Sequence, residues 1–174
     1  MTRVIFSLSL DAEAADLTDW VHTYLSRYDL TLLDQIRIVG KEGSAARPWQ
    51  GVHGYCEYPR RRGRRRHGFR IYCEAEGPYP YTLHASGTRI RNVREAVAWI
   101  VGHEAHHFLC ESGQVVGRNS EPEANAAGKA AVRHYRAFAR RQANARSKSR
   151  SSSESSDRNA ARAAVKSPPR RKRA

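Results

Sequence analysis

Long apolar runs are missing from this sequence. The one apolar stretch near its start, Val4 to Leu10, is broken by serines and closed by Asp11. It is too short for a signal-peptide core and far too short to span a bilayer, so it reads as the first strand of a soluble, intracellular protein with no membrane partner. Cysteine is scarce as well. Cys56, Cys73 and Cys110 make an odd count without CxxC spacing, which argues against a disulfide framework and a four-cysteine zinc site and points to a reducing, cytoplasmic setting. Patterns of the helix-turn-helix, RNP or zinc-finger kind are absent too. Acidic residues are nearly absent from one end: residues 140–174 hold twelve Arg or Lys against two acids, +10 of the formal net +14. That Ser/Arg/Lys-rich end also lacks aromatic residues and contains Pro168-Pro169. It cannot bury enough apolar area to order itself, and residues 143–174 are expected to form a disordered basic tail.

What is present reads as one domain, residues 1–142, within a chain that is 40% apolar and able to bury a modest core. Leu17, Trp20, Val21, Tyr24 and Leu25 recur at helical spacing and predict an amphipathic helix over residues 16–28. Ile36 to Val39 alternates as a strand. Gly51–Tyr58 and Phe69–Ala75 alternate aromatic and β-branched residues, and the run Arg60–Arg66 between them, six arginines in seven residues, falls where a hairpin loop belongs. A further short strand is expected at Tyr81–Ala85. Asn92 to Cys110 is the strongest helix, with Asn92 as N-cap, Glu95 in the capping-box position and Gly113 just past the end. A last helix is expected over residues 121–142, carrying the small-residue stripe Ala124, Ala127, Ala131 with Tyr135 and Phe138, which allows another helix to approach closely. The fold class is α+β: a small, mostly antiparallel sheet packed on two helices.

The chemistry concentrates in His103-Glu104-Ala105-His106-His107. Residues four apart on a helix share a face, so His103 and His107 can converge on one zinc ion while Glu104, one step round, reaches the water bound to it. Zinc would draw the pKa of that water toward about 7, with Glu104 as the general base that takes the proton and returns it to the leaving group. An accidental pairing on an ordinary helix is the bland alternative. The apolar neighbours Trp99 and Ile100 count against it, because an unpaired Glu104 among them would be expensive to bury. His106 needs no ligand role and is expected to line the cleft or meet solvent.

A tetrahedral catalytic site needs a third protein ligand. Glu121 and Glu123 are the candidates, and helical periodicity does not choose between them. Glu123 follows Ser120 at the capping-box spacing, which gives it a structural role and favours Glu121 as the ligand.

With Glu121-Pro122-Glu123-Ala124-Asn125 following the His103–His107 segment, the chain resembles the glutamate-type zincin metallopeptidases, whose third ligand opens a helix in a Glu-x-x-Ala-Asn or Glu-x-x-Ala-Asp pattern. It looks closest to the small ImmA/IrrE-type zincins, with SprT-like proteases a looser relation. The resemblance covers about residues 92–139 and also favours Glu121. The step from His107 to Glu121 is short, metzincin-type third histidines are absent, and the usual Phe-Ala and Leu-Met-Pro continuation of the ImmA type is missing. What the resemblance implies is a zinc peptidase with Glu104 as catalytic residue and a protein or peptide substrate added along a sheet edge beside the motif helix, near Tyr72, Tyr81 or His84. An oxyanion-stabilising group is also required, for which His84, His134 and Tyr135 are the candidates.

Arg60–Arg66 and the C-terminal tail supply sequence-independent phosphate contacts and predict a nucleic-acid or other polyanion partner. An alternative reading of the whole is a nucleic-acid-binding accessory protein that keeps a structural or degenerate zinc site. Cys56 and Cys73 stand in two strands expected to pair, where they could face each other, and read as buried small hydrophobes.

Overall fold

In the computed structural model, the structure describes residues 3–6, 11–41, 52–57, 69–76 and 79–165. The loop Arg60–Arg66 and the chain end from residue 166 lie outside the described residues, as do parts of the expected first strand. Helix α1 (Asp11–Leu25) follows strand β1 (Arg3–Phe6). The helix begins earlier than expected because Asp11–Ala15 are polar or small, and so invisible to an apolar periodicity, yet compatible with helix. Its apolar stripe is buried as the spacing requires: Leu17 and Trp20 are fully covered, with Val21, Tyr24 and Leu25 beside them.

Strands β2 (Leu33–Lys41), β3 (Val52–Glu57) and β4 (Phe69–Glu76) complete a four-stranded sheet of order β1-β2-β4-β3. The α+β class is as expected, but the sheet is mixed rather than mostly antiparallel. β1 and β4 both run parallel to β2, and only β3 and β4 form the expected antiparallel pair. The reason is α1: it returns the chain across the sheet, so β2 enters alongside β1 in the same direction, as a helical crossover demands. Ile36, Ile38, Ile71 and Cys73 are buried on the sheet. Among the described residues β3 is an edge strand, with β4 as its one neighbour in the sheet.

A two-stranded hairpin follows, β5 (Tyr81–Leu83) and β6 (Thr88–Ile90), turned at Gly87 with φ 62°. The second strand escapes a periodicity reading because three residues are too few to show one.

Helix α2 (Val93–Glu111) is the centre of the core, buried on most sides from Glu95 to Ala105 and again at Phe108 and Leu109. Asn92 caps it as expected, accepting from the Glu95 N–H at 3.0 Å. The Glu95 carboxylate accepts from the Arg91 N–H and forms a two-point ion pair with Arg136 at 2.9 and 2.7 Å. Gly113 ends the helix with φ 72°, the left-handed value that glycine adopts at low cost. One face of α2 meets the sheet, where Phe108 packs edge-on to Phe69. Another meets helix α3 (Glu121–Val165). Their approach is close: a Cβ on Gly102 would run into Ala131, and one on Gly128 would lie 2.8 Å from the Trp99 ring. The small-residue stripe thus serves the close crossing that its composition suggested.

The chain divides into two units, Met1–Arg136 and Ala137–Ala174, six residues earlier than the expected boundary. Helix α3 runs on to Val165 through much of the segment expected to lack order. Arg140 to Lys148 are exposed all round, so this stretch has no packed face and depends on local propensity alone. No helix among the described residues is long and apolar enough to cross a membrane.

Candidate metal centre

Positions 103, 104 and 107 fall in the last half of α2, and Glu121 is the first residue of α3. The close α2–α3 crossing brings the two segments together. His103 Nε2 and His107 Nε2 lie 3.3 Å apart, and the Glu121 carboxylate stands 3.4 Å from the first and 3.6 Å from the second. Among the described residues this trio is the one whose donor atoms all lie within 4.8 Å of one another. These spacings are longer than ordinary hydrogen bonds of about 2.7–3.2 Å. They match the edges of a tetrahedron around an ion with metal–nitrogen and metal–oxygen distances of about 2.0–2.2 Å, which are roughly 3.3–3.6 Å. The donor set therefore fits a divalent transition metal.

Each imidazole is held by other contacts. His103 is 7% exposed and stacks on Trp99 with centroids 4.8 Å apart. Burial pushes its pKa below the usual histidine value, with His107 and His106 acting the same way and Glu121 and Asn125 opposing. A neutral ring is the form that ligates. His107 Nδ1 meets Asn119 Oδ1, and Asn119 donates from Nδ2 to Glu111 at 2.6 Å. Because the Asn119 amide nitrogen is committed to Glu111, its oxygen must accept. His107 therefore carries its proton on Nδ1 and keeps the Nε2 lone pair for an ion. The Glu121 side chain is 72% exposed, so the centre opens to solvent on that side.

Glu104 stands outside the trio but next to it, with Oε1 4.0 Å from His103 Nε2. It is 5% exposed. Burial, reinforced by the charge of Glu121, pushes its pKa up to about 7, against the opposing effect of the Cys56 backbone N–H that bonds to it. The edge strand makes room for this carboxylate: a Cβ on Gly54 would lie 2.7 Å from Glu104 Oε1 and would also overrun Ile100. A glycine inside an alternating strand is the sequence signal for such a close approach. Asn119 left no comparable signal, because nothing in a loop's periodicity marks an amide that orients a ring.

Of the two candidate glutamates, Glu121 is the one beside both imidazoles. Glu123 lies instead 3.7 Å from His106, and the capping role expected of it is not taken, since the Ser120 N–H bonds to the Arg118 carbonyl. The other expected positions are dispersed. His134 accepts from Trp20 Nε1 at 3.1 Å and Tyr135 packs edge-on to Trp20, both in the α1–α3 core. His84 is exposed in the β5–β6 turn. Tyr81 stacks on Tyr79, and the side chain of Tyr72 lies outside the described residues. Cys56 and Cys73 are free and do not face each other: Cys56 pairs with Ile71 and Cys73 with Gly54. They are diagonal neighbours on one face, and burial first, then the charge of Glu104, raises both thiols, Cys56 to about 12.

No family model matches the chain, and no curated protein or solved structure is significantly similar to it. The site must therefore be read from its own geometry.

Proposed function

We propose that this chain is a zinc-dependent metallopeptidase of the glutamate-zincin kind, with His103, His107 and Glu121 as the ligands and Glu104 as the general base. One observation carries the reading: a buried carboxylate, 4.0 Å from His103, stands beside, but not within, a ligand-spaced His/His/Glu trio. A site that only held an ion for structure would need the trio and not the fourth group. Two imidazoles and a carboxylate can hold iron(II) as well as zinc; the His-Glu-x-x-His spacing on one helix is what favours zinc here. A bound zinc ion would supply Lewis acidity, acidifying a water in its open position and polarising a carbonyl.

The chain's own groups supply the rest. Glu104, beside the trio and held by the Cys56 amide, accepts a proton from the attacking water and returns it to the leaving amine. Asn119 orients His107, Trp99 orients His103, and the edge strand fixes Glu104 through the Cys56 amide. A peptide as substrate follows from the resemblance of the His103–His107 and Glu121–Asn125 segments to glutamate zincins. A polyanionic partner follows from the charge of Arg60–Arg66 and of the chain end.

The test is zinc content of the wild type and of His103→Ala, together with proteolysis of unfolded and DNA-bound proteins by the wild type and Glu104→Gln. The expected result is one zinc per chain at this centre, lost in His103→Ala, with cleavage lost in Glu104→Gln while zinc is retained. Zinc without cleavage by the wild type would favour the accessory-protein alternative. Absence of metal would reject both.

A further inference from the structure

His106 and Cys110 repeat, on the neighbouring face of α2, the four-residue spacing of His103 and His107, and the peptidase reading leaves both unused. Cys110 Sγ lies 3.4 Å from His106 Nε2. The Arg118 carbonyl oxygen lies 3.3 Å from the same nitrogen and 3.9 Å from the sulfur. Glu123 Oε2 is 3.7 Å from that nitrogen. The contact to the Arg118 carbonyl is a long hydrogen bond against the usual range of about 2.7–3.2 Å, and the Glu123 oxygen is farther away still. With metal–nitrogen and metal–sulfur distances of about 2.0 and 2.3 Å, the edges of a tetrahedral site fall near 3.3–3.6 Å; the nitrogen–sulfur and nitrogen–oxygen spacings match, and the sulfur–carbonyl spacing of 3.9 Å would have to close slightly on binding.

The surroundings are built to the same plan. The Arg118 carbonyl is fixed by the Ser120 N–H at 2.8 Å and keeps a second lone pair. A Cβ on Gly117 would stand 3.1 Å from Glu123 Oε2, so the loop passes close to that carboxylate. Among the described residues only the His103–His107–Glu121 trio closes within 4.8 Å through His, Cys and acidic side chains alone. Glu123 is thus at the rim of this second cluster, and the backbone carbonyl is its third member.

We propose that His106, Cys110 and the Arg118 carbonyl, with Glu123 at the rim, form a second cation site for a thiophilic divalent metal such as zinc, cobalt or cadmium. On binding, the Cys110 thiol gives its proton to solvent and the thiolate sulfur forms the bond to the metal. The imidazole binds as the neutral ring, with no change in oxidation state. The site is independent of the catalytic reading, and its occupancy does not require Glu104.

The experiment is titration of the chelator-stripped, full-length chain with cobalt(II), following the metal bound per chain and the near-ultraviolet thiolate-to-cobalt charge-transfer absorption. Wild type should bind about two equivalents and develop the thiolate band. Cys110→Ser and His106→Ala should each lose about one equivalent, the first with complete loss of the band. His103→Ala should lose the other equivalent and keep the band. One equivalent with no thiolate band, or a band that survives Cys110→Ser, overturns the proposal and leaves the first centre standing. Cobalt binding abolished only in His103→Ala has the same meaning, and no cobalt bound at all rejects both sites.

Discussion

Replacing Glu104 with glutamine should stabilise the metal-free protein at alkaline pH and not at acid pH. The Glu104 carboxyl rises from its ordinary 4.5 to about 7 on folding, chiefly through burial. The folded state therefore holds this proton more tightly than the unfolded chain, so stability falls as pH climbs from about 4.5 through 7. Converted at about 1.4 kcal/mol per pH unit, the rise costs the folded state about 3 kcal/mol at pH 8, an upper figure because water and neighbours relax around a buried charge. Glutamine keeps the shape and still accepts the Cys56 N–H, but it has no charge to bury. The assay is urea unfolding of chelator-treated wild type and Glu104→Gln at intervals from pH 5 to pH 8. Taking the difference between the two proteins cancels the titration of groups remote from Glu104, which are common to both. The variant should gain progressively, reaching about 2–3 kcal/mol at pH 8. A difference that is flat with pH, or a variant less stable at pH 8, would refute the claim that Glu104 is buried against its charge.

Asn119→Ala should weaken zinc binding at the first centre by about 10- to 100-fold, because His107 loses the acceptor that sets its tautomer and orientation; a competitive chelator titration measures it. Gly102→Ala should lower stability by about 1–3 kcal/mol, since the new methyl runs into Ala131 and comes 3.0 Å from the Ala127 carbonyl. The sign is decisive there, because alanine in a helix that was not tightly crossed would stabilise by roughly 1 kcal/mol. Arg136→Ala should cost about 3 kcal/mol at pH 7 by leaving the buried Glu95 carboxylate without its cation and the Arg89 carbonyl without its donor. Glu95 is held below its ordinary pKa, burial being outweighed by its bonds to Arg136 and Arg91. That stability is therefore present above about pH 4.5 and lost as pH falls, and thermal melts at pH 7 and pH 3.5 compare the two.

Legibility in the sequence followed the range of each interaction. The His103/His107 pairing, the Asn92 cap and the Gly113 stop all rest on contacts within a few residues along one helix, and local spacing is enough to state them. The parallel β1–β2–β4 core of the sheet was not legible. Short alternating strands look alike whether they pair parallel or antiparallel; α1 between β1 and β2 sets the direction of the first pair, and the insertion of β4 between β2 and β3 sets the second. The extent of α3 has the opposite character: composition measures the burial a segment can achieve, and Arg140–Lys148 achieve none, yet a helix with good local propensity can continue without it.

The choice between Glu121 and Glu123 marks the limit most sharply, because both residues open the same helix and flank its stripe by similar angles. What separates them is where α3 crosses α2, and that is set by small residues next to His103 on α2 and about two to three turns along α3 from Glu121. Gly102 against Ala131 and Gly128 against Trp99 bring the axes close, and with the axes fixed Glu121 falls between His103 and His107 while Glu123 falls beside His106. The grouping of Glu121 with His103 and His107 is therefore a consequence of packing about two to three turns along α3. A substitution such as Gly102→Ala, which touches no ligand, should loosen zinc as well as the fold, and should do so through Glu121 while leaving the spacing of His103 and His107 intact. Metal affinity of Gly102→Ala that equals wild type, despite lowered stability, would mean that Glu121 reaches the imidazoles through its own flexibility and not through the crossing.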